Sequence, residues 1–191
     1  MFDSPRLKSM LPLVLLILIG FLLPGRVPEY YLYLANVLMM YAVLAIGLDL
    51  LLGWAGQFAF AHTAFFGIGC YTTAVLHIRW GVPFVIGMPL GALLAGLVGV
   101  LVGLPAARMR SVYLALATFA FAEGAQWVFF SWVAVTNGPD GLRLPPANVF
   151  GFKMGNDPEA FPVMAIILAL VIAATLYLLT SSLGRALVAI R

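Results

Sequence analysis

The stretch Phe84-Val85-Ile86-Gly87-Met88-Pro89-Leu90-Gly91-Ala92-Leu93-Leu94-Ala95-Gly96-Leu97-Val98-Gly99-Val100-Leu101-Val102-Gly103-Leu104 has no charged, amide or hydroxyl side chain from end to end. A helix of about 20 residues, rising 1.5 Å at each, crosses the roughly 30 Å hydrocarbon core of a bilayer. Helix is the required form, because backbone polar groups in lipid must pair within the segment. A barrel strand would alternate apolar and polar positions, and this run is apolar all round. Gly87, Gly91, Ala95, Gly99 and Gly103 recur every four positions. They form one stripe through which another helix, of this chain or of a partner subunit, can approach closely.

Five further runs have the same character. They are Met10–Leu23, Leu32–Leu52, Phe58–Ile78, Val112–Val135 and Phe161–Thr180. The first is short and follows Arg6 and Lys8, which also suits a signal peptide. Leu22 to Val27 offers no small-x-small cleavage site, so the run reads as a retained helix. The expected fold class is therefore all-α, a polytopic transmembrane bundle of about six spans in a single domain over residues 1–191.

Composition agrees. Of 191 residues, 64% are hydrophobic and 9% charged, and the mean hydropathy is +1.09. A soluble domain carries about 25% charged residues. Soluble enzymes, disordered chains, disulfide scaffolds and nucleic-acid-binding modules are excluded. Cys70 is the sole cysteine and reads as a packed thiol.

Lys and Arg in short loops set the orientation. With the N-terminus inside, Arg6, Lys8, Arg108, Arg110, Arg185 and Arg191 are inside, and Arg26, Arg79, Arg143 and Lys153 are outside. Glu29, Asp140, Asp157 and Glu159 offset the outer positives. Both termini are expected in the cytoplasm. The long loop Thr136–Ala160 holds Asn137-Gly138-Pro139-Asp140-Gly141 and Pro145-Pro146, and reads as an ordered outer cap built of turns. Trp80, Trp127, Trp132, Tyr30, Tyr31 and Tyr33 suit an interfacial aromatic belt, and His77 and Arg79 a solvated outer helix end.

Few polar groups interrupt the spans. Gly53 and Gly56 break the apolar sequence between the second and third, beside Gln57 and His62. Each glycine weakens a helix by about 1 kcal/mol, and discontinuous helices at membrane depth line substrate paths. A tight cytoplasmic turn is the alternative. Glu123 lies mid-span, with Gln126 three residues on and on the same face. An acidic side chain at mid-membrane costs about 2.5–3.5 kcal/mol on insertion scales, so Glu123 is expected to face water or a polar partner. Asp49 sits within a turn of the expected cytoplasmic boundary. Gln57, His62, Glu123, Gln126 and Asp49 are the candidates for a translocation pathway. The chain has no Gly-x-x-x-x-Gly-Lys-[Ser/Thr] loop, no His-Glu-x-x-His and no Gly-x-Ser-x-Gly. His62 and His77 are too few to suggest a metal or haem site. An intramembrane enzyme would need Glu123 and His62 to converge in one wet cavity, and they are expected at different depths.

The run from Gly47-Leu48-Asp49-Leu50 through Gly53-Trp54-Ala55-Gly56-Gln57 to Gly67-Ile68-Gly69-Cys70-Tyr71 resembles the inner-membrane permeases of branched-chain amino-acid ABC importers, the LivM type. Leu104-Pro105-Ala106-Ala107-Arg108-Met109-Arg110-Ser111, Thr136-Asn137-Gly138-Pro139-Asp140-Gly141-Leu142 and Gly184-Arg185-Ala186-Leu187-Val188-Ala189-Ile190-Arg191 agree in order and spacing. Asp49 replaces a frequent Asn, and Phe58-Ala59-Phe60-Ala61 replaces a Leu-Ser-Leu-Gly type of sequence. The resemblance implies a bacterial inner-membrane subunit that pairs with a second permease subunit, two cytoplasmic ABC ATPase subunits and a periplasmic amino-acid-binding protein. It implies no cofactor on this chain, ATP being bound by the partner ATPases. It also implies that Gly184, Arg185, Ala186 and Arg191 begin the ATPase-coupling loop, and that the sequence is the N-terminal part of a longer permease. Urea and short-amide permeases share much of the pattern, and a non-transporting structural subunit is a further alternative.

Overall fold

In a computed structural model, the described residues are 15–56, 60–106, 109, 111–149, 152–182 and 184. Most of them are helical. The chain divides into two compact units, Met1–Leu50 with Gly151–Arg191, and Leu51–Phe150.

The first unit contains α1 (residues 15–22), α2 (Glu29–Asp49) and α7 (Asp157–Thr180), with the short strand β2 (Phe152–Met154) ahead of α7. Pro28 precedes α2, and Pro158 stands in the first turn of α7, where a missing N–H costs nothing. Asp157 and Glu159 suit the positive N-terminal end of α7. The Glu159 carboxylate also reaches back to accept from the Gly155 N–H at 3.1 Å. Leu32 and Met39 of α2 pack with Phe161, Ala165 and Leu168 of α7 as a buried cluster. Phe161, Ala165 and Leu168 are four and three residues apart, and Leu32 and Met39 seven, or two turns, so each set makes one helical face. A Cβ on Gly20 would stand 2.6 Å from that of Ala165, so the glycine is what lets α1 approach α7. Glu29 and Asp157 border one shallow depression, which places the N-termini of α2 and α7 at the same end of this unit.

The second unit contains α3 (His62–Trp80), α4 (Phe84–Ala106), α5 (Ser111–Ser131), the single turn α6 (Val133–Thr136) and β1 (Ala147–Val149). α3 and α4 form an antiparallel hairpin. Gly81, at φ +62°, ends α3 in the left-handed region that glycine adopts freely. His77 Nδ1–H donates to the Val82 carbonyl at 2.9 Å across this turn. The glycine stripe of α4 works within the chain. A Cβ on Gly91 would stand 2.5 Å from Thr73 Oγ1 and 2.6 Å from the Gly69 carbonyl oxygen, whereas at Gly103 it would meet nothing within 4 Å. The Thr73 hydroxyl lies 2.9 Å from the Gly69 carbonyl and 3.2 Å from that of Gly87 on α4.

Several element boundaries differ from the sequence expectation. The second apolar run begins at Glu29, and from Leu50 to Trp54 its hydrogen bonding loosens into a π-helical segment. The third starts at His62, the fifth breaks at Trp132, and the sixth starts at Asp157. Charged and polar residues extend helix ends beyond the apolar stretch, because capping and the macrodipole favour them there. Among the described residues, four helices are long and apolar enough to cross a membrane: Glu29–Trp54, Phe84–Pro105, Val112–Ser131 and Asp157–Thr180. α3 is the least apolar of the five long helices, since it carries His62, Thr63, Thr72, Thr73, His77 and Arg79. His77 and Arg79 are not simply solvated. The Arg79 guanidinium donates to the Ala134 carbonyl of α6. The loop expected to form the outer cap begins in hydrogen bonds back to the end of α5. Buried Thr136 hydrogen-bonds the Phe129 and Trp132 carbonyls at 2.7 and 2.9 Å and accepts the Gly138 N–H at 3.2 Å.

Candidate functional site

α3 and α5 run in the same direction. Phe60, just before α3, meets Thr118 and Phe119 early in α5, and Tyr71 meets Phe129 near its end. At Gly67 the two helices approach closely, since a Cβ there would stand 2.6 Å from the Phe129 ring. Along this seam lies an open groove of about 460 Å³. Phe60, Thr63, Ala64 and Gly67 line one side, and Phe119, Ala122, Glu123, Gln126 and Phe129 the other. Both sides repeat at three and four residues, the period of a single helix face.

The groove is built from the chain break. Gly56, at φ +65°, takes the backbone out of the preceding helical segment. Buried Ala61 and Ala64 then seat the start of α3. The Phe60 N–H donates to Thr118 Oγ1 at 3.1 Å, while that hydroxyl lies 2.8 and 3.0 Å from the Leu114 and Ala115 carbonyls of its own helix. Thr118 thus serves α5 and the break together. The Phe60 and Phe119 rings meet edge to face, with centroids 6.4 Å apart.

Glu123 is the sole formally charged side chain on the groove, and Thr63 and Gln126 are its neutral polar ones. Among the described residues no hydrogen bond or ion pair engages these three. The arrangement offers an acceptor carboxylate, an amide and a hydroxyl on an otherwise apolar and aromatic surface. Such a surface can hold a small molecule that is polar at one end and apolar at the other. An adjoining groove of about 450 Å³, between Tyr71, Trp80, Val128 and Trp132, is almost wholly apolar and lacks that capacity.

The structure brings together two of the expected pathway residues, Glu123 and Gln126. His62 opens α3, is half-buried, and does not line this groove. Asp49 ends α2 in the other unit and is exposed. Gly53 lies in the π-helical segment and Gly56 at the start of the break. Gln57, Arg185, Ala186 and Arg191 lie outside the described residues. Gly184 is buried, and a Cβ there would collide with the Leu178 and Leu179 carbonyl oxygens. Thr63 and the aromatic walls went unnoticed in the sequence. Their signal was the shared spacing of 60, 63, 64, 67 and 119, 122, 123, 126.

Residues 30–191 match the family described as "Branched-chain amino acid transport system / permease component". Two curated relatives are each 31% identical over 152 residues, 79% of this chain. They are the "High-affinity branched-chain amino acid transport system permease protein LivM" of Escherichia coli strain K12 and its namesake in Salmonella typhimurium strain LT2. The chain spans 36% of the length of each. No solved structure matches it. The match runs through both compact units and takes in every residue of the α3–α5 groove, so the chain belongs to the branched-chain amino acid transport permease family and is a multi-pass membrane protein.

Proposed function

We propose that this chain forms part of the membrane path of an ABC importer for branched-chain or other hydrophobic amino acids, in the bacterial inner membrane. The observation that carries the reading is the family match over residues 30–191, which includes the groove holding Glu123. The groove's mixture of aromatic surface and three unengaged polar side chains suits an amino acid with a hydrophobic side chain. A second permease subunit would complete the path. Two cytoplasmic ATPase subunits would bind and hydrolyse ATP, and a periplasmic binding protein would deliver substrate. This chain itself would hold no cofactor and catalyse no reaction. ATP-driven closure of the ATPases would switch the path between its two openings, a rigid-body device common to such machines.

The topology we favour has six spans and both termini in the cytoplasm, within one permease domain. Parallel α2 and α7 in one unit, and parallel α3 and α5 in the other, support that alternation. Gly184, Arg185, Ala186 and Arg191 would then begin the ATPase-coupling loop on the cytoplasmic side.

The test is uptake of radiolabelled leucine by proteoliposomes holding the complete importer, with binding protein outside and ATP inside. ATP-dependent leucine uptake, with urea or acetamide uptake lower by about tenfold or more, is the expected result. Uptake of urea in preference to leucine would overturn the substrate assignment.

A further inference from the structure

The α3–α5 groove has an acceptor without a cation. Glu123 lies on its wall, and among the described residues no Lys or Arg pairs with it. A carboxylate at mid-helix in a membrane needs a compensating partner. α5 is 21 residues long and Glu123 stands near its centre. Gln126, one turn on, and Thr63, across the groove, offer an N–H and an O–H that no other described group uses. Residues three apart on a helix carry Cβ atoms about 5–6 Å from each other, which suits the two charged ends of one α-amino acid. Phe60 and Phe119 supply the apolar surface, and ring faces themselves attract ammonium groups.

We infer that Glu123 is the recognition group for the substrate's α-ammonium, with Gln126 and Thr63 donating to its carboxylate and the Phe60–Phe119 wall receiving its side chain. The inference rests on the proposed amino-acid transport and goes beyond it by assigning each end of the substrate. It also excludes urea and simple amides as good ligands of this groove, since they bring no cation to Glu123.

The test uses the purified complete importer without its binding protein, a diazirine-bearing leucine at high concentration, illumination, and peptide mapping. Adducts are expected on peptides holding residues 60–67 or 119–129. Glu123→Gln should lower them by about tenfold or more, the weight of a lost charge-assisted hydrogen bond. Glu123→Asp, which keeps the charge, should retain most of the labelling, and controls for folding. Leucinol, which keeps the ammonium and lacks the carboxylate, should compete better than 4-methylpentanoate, which lacks the ammonium. Adducts in the groove that are indifferent to Glu123→Gln would overturn the ammonium assignment and leave the transport reading standing. Adducts only elsewhere, in a preparation that imports leucine when binding protein and ATP are restored, would overturn the groove as the site. A preparation whose retained partners hydrolyse ATP but which imports no leucine would overturn the transport reading, and this inference with it.

Discussion

The backbone N–H of Phe60 donates to the side-chain oxygen of Thr118 at 3.1 Å, tying the break before α3 to the first half of α5. That bond fixes the near end of the groove, where Phe60 and Phe119 meet from its two sides. Thr118→Val removes the acceptor and keeps the shape. It should cost about 0.5–1.5 kcal/mol and lower leucine uptake several-fold, whereas Thr118→Ser should approach the wild type. Thermal unfolding in detergent and initial uptake rates check both outcomes.

The α3–α4 hairpin should be intolerant at one glycine and indifferent at another on the same stripe. Gly91→Leu drives a side chain into Thr73 and the Gly69 carbonyl, and should destabilise by about 1–3 kcal/mol or more. Gly103→Ala meets nothing and should be neutral, or stabilising by up to about 1 kcal/mol through helix propensity. Melting temperatures of the two variants in one detergent decide the point.

Buried Asn36 anchors α7 to α2 in the first unit. Its Nδ2 amide donates to the Asp157 carbonyl at 3.0 Å and to the Asp157 carboxylate at 3.5 Å, while Oδ1 finds no partner among the described residues. Asn36→Leu should therefore be mild, at about 1 kcal/mol, since the loss of the Asn36–Asp157 hydrogen bonds is partly offset by removing one orphaned acceptor. Asn36→Asp replaces the donor by a carboxylate facing a carbonyl, and should be the worse by about 2 kcal/mol or more. Comparing the two by thermal unfolding separates polarity from volume.

The proposed topology can be checked on a Cys70→Ala background, which is free of other thiols. Asp140→Cys, in the exposed cap, should react with a membrane-impermeant maleimide in spheroplasts. Arg185→Cys should react after the cytoplasmic face is opened and not before. In the same preparations Arg185→Glu should weaken ATPase association, measured by co-purification.

Much of this fold is legible in composition alone. The run from Phe84 to Leu104 has one physical solution in lipid, and α4 covers it. Glu123 stands out because an acid in an apolar helix must be accommodated. Helix ends were harder, as Glu29 and Asp157 lie outside the apolar windows yet begin helices for electrostatic reasons. Thr63 was invisible for a different reason. A threonine in a helix is ordinary until its neighbour across the seam is known, and local periodicity does not name that neighbour. His62 drew attention as a rare polar residue, but one helical position separates it from the face that Thr63 shares with Glu123.

A wet α3–α5 groove is the most exposed element of the transport reading, and thiol accessibility at Thr63 tests it directly. On the Cys70→Ala background, Thr63→Cys in the complete importer should react with a hydrophilic methanethiosulfonate. Leucine uptake should then fall by about tenfold, and added leucine should slow the modification, as expected when reagent and substrate compete for one site. Leu101→Cys, on the apolar surface of α4, should be unreactive under the same conditions. Full reaction at Thr63→Cys with unchanged uptake, or no reaction during active uptake, would contradict a substrate path through this groove.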